Sequence, residues 1–177
     1  AAGFSDFAGS TLVHSTGGSA ALAGALLLGS RTGRFDSKGT PKALQPFAAS
    51  SIPLVTLGVF VLWLGWFGFN GGSQLALGSF ADAVAISTIF INTNLAACGG
   101  VLVAAVIPRL MTGKTDVVMM LNGAIGGLVA ITAEPLAPSP LAAILIGGVG
   151  GLIVVLGTKL LFSLKIDDVV GAIPAHL

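Results

Sequence analysis

The stretch "DFAGSTLVH", residues 6–14, and the stretch "DVVGAIPAH", residues 168–176, share one pattern: Asp, two residues, Gly, four residues, His. They hold the only two histidines of the 177-residue chain, His14 and His176, each eight residues after an acid. The sequence around them is strongly apolar, with 54% hydrophobic and 8% charged residues and a mean hydropathy of +0.99. A soluble domain carries about 25% charged residues. Charges this sparse cannot wet the surface of a chain this long, so the class is integral membrane protein.

Apolar runs of about 20 residues are needed to cross about 30 Å of hydrocarbon. The spacing predicts five: Asp6–Gly29, Ile52–Phe69, Ala83–Leu110, Val117–Ala133 and Leu141–Leu164, with a sixth beginning near Val169. Turn-rich breaks separate them: "GSRTGRFDSKGTPK", "FNGGSQ", "TGKTD", "EPLAPSP" and "KIDD". The expected fold is an all-α, polytopic transmembrane helix bundle. The 26 glycines suit membrane helices whose backbones approach closely. One cysteine, Cys98, excludes an intrachain disulfide framework, and a net charge of +1 gives no nucleic-acid footprint. No basic segment precedes the first apolar run, so no signal peptide is expected. There is no initial Met and the second motif ends one residue before the last, so residues 1–177 are expected to be a fragment of a longer membrane protein.

All eight basic residues fall in odd-numbered connections: Arg31, Arg34, Lys38 and Lys42 in the first, Arg109 and Lys114 at the third, Lys159 and Lys165 at the fifth. The even connections hold only Asp82 and Glu134. Odd connections share one membrane face. The positive-inside rule predicts that segments 31–42, 109–114 and 159–165 are cytoplasmic, in a multi-pass protein of the cell membrane.

Taken as a helix start at the outer face, Asp6 would place His14 about 12 Å deeper. Asp168, as a cytoplasmic start, would place His176 about 12 Å in from the other side. The two histidines then reach similar depth from opposite faces, the geometry of an inverted repeat with its site near the midplane. Ionisable residues at that depth are costly and usually functional; the plain alternative is a pair of neutral, hydrogen-bonded packing histidines. Asp6 and Asp168 read equally well as helix caps. "LGWFGFNGGS", residues 64–73, ends the second helix at the outer face. Its aromatics and Ser73 suit a small-cation site at a pore mouth, but an interfacial belt is the preferred reading of Trp66 and Phe67.

At these residues the chain resembles the ammonium transporter (Amt/Mep/Rh) family: "DFAGSTLVH", "LGWFGFNGGS" and "DDVVGAIPAH" match family signatures in family order and spacing. The resemblance covers residues 1–177, as one segment of a single domain spanning roughly helices five to ten of eleven. It implies an eleven-helix inverted-repeat fold, a homotrimer with a pore in each subunit, and transport of ammonium or ammonia rather than enzymatic chemistry. It implies no cofactor and no metal. By position, His14 and His176 match the paired pore histidines, Phe69 one of two stacked gate phenylalanines, Ser73 the external ammonium site and Asp6 the acid of the outer vestibule. A cytoplasmic PII-type regulatory protein is an implied partner. Val169 departs from the Pro that many members carry after the Asp pair. Two alternatives stand beside transport: an ammonium sensor of the same fold, and a membrane cytochrome with His14 and His176 as axial haem ligands. Against the latter, each helix offers a single His and the approach is lined with small residues.

Overall fold

The computed structural model describes residues 3–35 and 47–177; Lys38 and Lys42 of the first basic segment lie outside them. Six helices follow in order: α1 (Ser10–Leu28), α2 (Ile52–Gly72), α3 (Phe80–Thr112), α4 (Val117–Ile131), α5 (Pro140–Ser163) and α6 (Ala172–His176). By length and apolarity α1, α2, α3 and α5 can each cross a membrane. The fourth expected span is shorter than its apolar run: α4 has 15 residues, about 22 Å at 1.5 Å per residue. It closes at Thr132, whose N–H donates to the Val129 carbonyl three residues back at 3.2 Å, tightening the last turn. Pro135 and Pro138 follow, so the helix does not resume before Pro140.

Helix starts carry the caps their sequences supply. Ser79 and Asp82 form a reciprocal capping box on α3, and Asp116 accepts from the Met119 N–H to start α4. Ser51 and Ser139 cap α2 and α5, each with a Pro in the first turn. "FNGGSQ" breaks later than expected, since α2 continues through Gly72.

Helices α3, α4 and α5 form the core, and they meet through small residues. A Cβ on Gly123 would lie 2.7 Å from the Gly100 carbonyl oxygen, and one on Gly126 3.0 Å from that of Gly150. Backbone therefore packs on backbone, the arrangement that stabilises helix pairs when lipid offers no hydrophobic driving force. Ala96, Ala97, Ala104 and Ala143 fill the remaining space with no exposure. Helices α1 and α2 instead turn Leu26, Leu27, Leu54, Leu57 and Leu64 outward.

The connections sort to two ends. At one, Ser30 Oγ donates to the Lys165 carbonyl (2.9 Å) and Lys159 Nζ lies 3.3 Å from Met111 Sδ. The first, third and fifth connections thus share an end, as the charge pattern predicts. At the other, the Phe7 and Ala8 N–H groups donate to Ala133 and Thr132 (2.8 and 3.1 Å).

Candidate functional site

The repeated motif folds the same way twice, but not as eight residues of helix. Asp6 and Asp168 both lie before their helices. In each copy the residue immediately preceding the helix is a glycine in the left-handed region, Gly9 at φ 100° and Gly171 at φ 79°, a conformation that favours glycine. Glycine brings no capping side chain, so the acid three residues earlier supplies it. Asp6 Oδ2 accepts from the Thr11 and Leu12 N–H groups at 3.0 and 2.9 Å. Asp168 accepts from Val170, Gly171, Ala172 and Ile173, the last at 2.7 Å. The capping reading of both acids therefore holds, and the 12 Å depth argument is corrected. Each histidine is the fifth residue of its helix, about 6 Å along it.

The histidines meet. His14 Nδ1 and His176 Nδ1 are 3.1 Å apart, and the rings stack with centroids 5.1 Å apart. The first turn of α1 is π-helical: the Val13 and His14 N–H groups both donate to the Gly9 carbonyl (2.9 and 3.1 Å). Such wide turns recur at functional sites. One turn beyond His14, Gly18 lets α6 come close; a Cβ there would sit 2.5 Å from the Leu177 backbone nitrogen.

Trp66 lies over His14, centroids 4.9 Å apart and planes within 13°. It is only 6% exposed, and its Nε1 donates to Thr132 Oγ1 at 2.9 Å. The belt reading of Trp66 is therefore wrong: the ring is buried in the site. Phe67 packs edge-on against Phe90 with centroids 5.3 Å apart. Phe69 tilts over His14 at 5.4 Å. Trp66 and Phe69 are three residues apart, the spacing that puts two side chains on one helix face, and that spacing was the signal for Trp66. Gly17, Gly18, Ala21 and Ala172 line an open cavity of about 210 Å³ against the two histidines.

His14, His176 and Phe69 thus come together. Asp6 and Ser73 engage their own segments: Ser73 Oγ donates to the Phe69 carbonyl at 2.8 Å. Among the described residues, neither Asp6 Oδ1 nor His14 Nε2, both buried atoms, has a hydrogen-bond partner. The histidine geometry does not suit axial ligation. Two imidazole nitrogens each about 2.0–2.1 Å from one metal ion stand about 4 Å apart across it, whereas these are at hydrogen-bonding distance. Among the described residues no group of three or more His, Cys, Asp or Glu side chains converges.

The sequence model of the Ammonium Transporter Family matches residues 1–177. The chain is 46% identical over 171 residues to ammonium transporter Amt2 of Archaeoglobus fulgidus, an alignment covering 97% of this chain and 35% of that protein. Among solved structures it resembles one described as a sensor Amt protein, with TM-score 0.88 and 37% identity over 98% of this chain and 41% of the other. Mep2 of Candida albicans gives TM-score 0.85 and 34% identity over 99% of this chain and 37% of the other. The chain spans between about a third and two fifths of the length of these relatives. The helices, the spans and these likenesses agree: the chain is a multi-pass membrane segment and belongs to the Ammonium Transporter Family.

Proposed function

We propose that this chain forms part of a pore that moves ammonium or ammonia across the cell membrane, with His14 and His176 as a single conducting unit. The observation that carries this reading is the 3.1 Å contact between the two Nδ1 atoms, made between helices that start with the same motif. In a neutral pair one ring donates its Nδ1–H to the bare Nδ1 of the other. The donor ring then has a bare Nε2, and the acceptor ring keeps an Nε2–H. The unit offers a guest one acceptor and one donor, which ammonia, itself donor and acceptor, can use. A proton can be added at the bare Nε2 without breaking the internal bond. Desolvating a bare ion among apolar side chains is costly. Ammonium avoids that cost by leaving its proton on a neighbour, and potassium has none to leave.

In this reading Phe69 gates the approach. Ser73 and Asp6 serve recruitment: the Ser73 hydroxyl donates to Phe69 and keeps lone pairs for an N–H donor, and Asp6 Oδ1 is an unused acceptor. The 177 residues are a segment of one eleven-helix, inverted-repeat domain that assembles as a homotrimer. The end bearing Arg31, Arg34, Arg109, Lys114, Lys159 and Lys165 faces the cytoplasm, where a PII-type regulator would dock.

The test uses the full-length protein. His14→Ala and His176→Ala should each impair methylammonium uptake or its selectivity against potassium. The double variant should be little worse than the more damaging single one, because members of one hydrogen-bond network are non-additive. Normal uptake and intact selectivity in both single variants would return the pair to a packing role. Likeness to the sensor Amt protein favours one second reading, a sensor of the same fold. Full-length protein that binds ammonium but shows no flux in proteoliposomes would select it.

A further inference from the structure

The transport reading leaves unused a cluster at the basic end, where the end of α1 meets the start of the second motif. Ser30 Oγ donates to the Lys165 carbonyl at 2.9 Å. The backbone N–H of Arg31 donates to Asp167 Oδ2 at 3.0 Å, its Nε to the same oxygen at 2.7 Å, and its Nη2 to Oδ1 at 2.8 Å. Arg34 Nε stands 3.5 Å from Oδ1. The Asp167 side chain is 1% exposed, so this is a carboxylate buried inside a bidentate fork. Such pairs fix geometry as well as charge, unlike a solvated surface pair. Lys165, which presents the carbonyl to Ser30, sits at φ 60°. A residue with a side chain holds that conformation only when its surroundings impose it.

Asp167 and Asp168 are adjacent, and they hold different helices. Asp167 grips the residues that follow α1, the helix of His14. Asp168 caps α6, the helix of His176, through four N–H groups. Helix α6 starts at Ala172. Its side-chain anchors at the start are that cap and the Asn122 Nδ2 bond to the Val170 carbonyl (3.0 Å). The segment that leads into α6 therefore sets where the helix starts and how its first turn is held. That segment is tied, one peptide earlier, to the end of α1.

We infer that Asp167 is a positioning residue for the histidine unit: its clamp on Arg31 joins the two histidine-bearing helices at their basic end and sets the register in which His176 meets His14. This rests on the transport reading of that unit. The consequence is directional. Loosening the clamp moves His176, not His14, because α1 is anchored separately at its far end by Phe7, Ala8 and Ser10, whose Oγ donates to Val129 at 2.9 Å. Arg31 is thereby coupled to the histidine unit through Asp167.

The test is a double-mutant cycle on methylammonium uptake in the full-length protein, at matched membrane levels. Asp167→Asn keeps the shape but loses the charge. It should lower uptake on the order of tenfold, less than the roughly hundredfold that a full 1 Å misplacement of a reacting group can cost, and it should raise potassium leak. On a His176→Glu background, where a carboxyl group retains hydrogen-bonding capacity, the same change should cost less than twofold. Arg31→Lys keeps a charge without the fork, and should show a smaller loss with the same background dependence. It carries the test if Asp167→Asn does not reach the membrane. Equal loss in both backgrounds, or no loss from either substitution, would overturn the inference. Normal uptake and selectivity in His176→Glu and His176→Ala would instead sink the transport reading, so the two failures are distinguishable.

Discussion

Gly18 and Gly24 lie on the same helix, α1, in different surroundings. A Cβ on Gly24 meets nothing within 4 Å, whereas one on Gly18 would lie 2.5 Å from the Leu177 nitrogen, 2.7 Å from its Cα and 2.8 Å from its Cβ. Two of those three atoms are backbone, so no side-chain rotation relieves the clash. Ordinary contact begins near 3.5 Å, so the end of α6 must retreat by about 1 Å in Gly18→Ala. His176 is the preceding residue and moves with it. The Nδ1–Nδ1 distance would open from 3.1 Å to roughly 4 Å, beyond hydrogen bonding. Folding should survive, because replacing a helical Gly by Ala gains about 1 kcal/mol of helix propensity, against a net loss of about 0.5–1.5 kcal/mol for the hydrogen bond. The expected outcome is a full-length protein at normal membrane level whose methylammonium uptake falls at least several-fold, while Gly24→Ala transports as the parent does. Equal uptake in the two variants, with Gly18→Ala normally folded, would refute the reasoning, since it would mean the contact distance does not govern conduction.

Further outcomes follow from single contacts. Phe69→Ala should change flux directly, whereas Phe67→Ala, whose ring packs on Phe90, should act through thermal stability alone; equal flux loss at equal folded yield would count against the gate. Asp168→Ala strips four N–H groups of their acceptor and should destabilise the protein by about 1–2 kcal/mol, read as a lower melting temperature, with Asn restoring part of it. In a Cys98→Ser background, Thr115→Cys should resist an impermeant thiol reagent added to intact cells and Ala137→Cys should react; the reverse pattern would invert the proposed orientation. Arg31 holds the Asp167 carboxylate below its ordinary range. The depressed value means the clamp contributes stability at every pH above that range and loses it as pH falls through the lowered value. Thermal stability of Asp167→Asn and parent should therefore differ at pH 7 and converge only in strong acid.

What was legible in the sequence was what periodicity and punctuation encode. Apolar runs located the long helices, and turn residues located their breaks within a few positions. The basic residues marked one end correctly, because charge is excluded from hydrocarbon wherever the chain goes. The pairing of His14 with His176 was legible because the motif repeats. Three features were not. Distance along a helix was inferred from Asp6, but Gly9 turns the chain before the helix begins, and nothing in a residue count reveals a left-handed glycine. The burial of Trp66 depends on Thr132, just after α4, accepting from its indole N–H, a tertiary partner 66 residues away. Its helical stripe was nevertheless present: Val59, Trp63, Trp66 and Asn70 recur at spacings of four, three and four, and all but the half-buried Trp63 are nearly inaccessible. The division of labour between Asp167 and Asp168 was also hidden, because identical neighbours point in different directions only once the backbone is folded.

The short helix α4 explains why two motifs 162 residues apart meet with hydrogen-bonding accuracy. Its last turn and the residues just after it hold the first motif: Val129, Thr132 and Ala133 accept from Ser10, Ala8 and Phe7. One side chain nearer its start holds the second, as Asn122 donates to Val170 and packs against Gly171. The separation of the two anchors is then set by ten residues of helix, about 15 Å, a length that bends little because glycine and alanine lock α4 against α3 and α5. Each motif carries its histidine five residues into its helix, so the two rings approach from the two anchors by equal steps. A fourth helix of full spanning length would not improve this arrangement. Its shortness leaves room at one end for the turn after Ile131, where Thr132 holds Trp66 against His14. The same element thus measures the distance between the motifs, and the residue that closes it supplies the hydroxyl that keeps the indole stacked on the His14 ring.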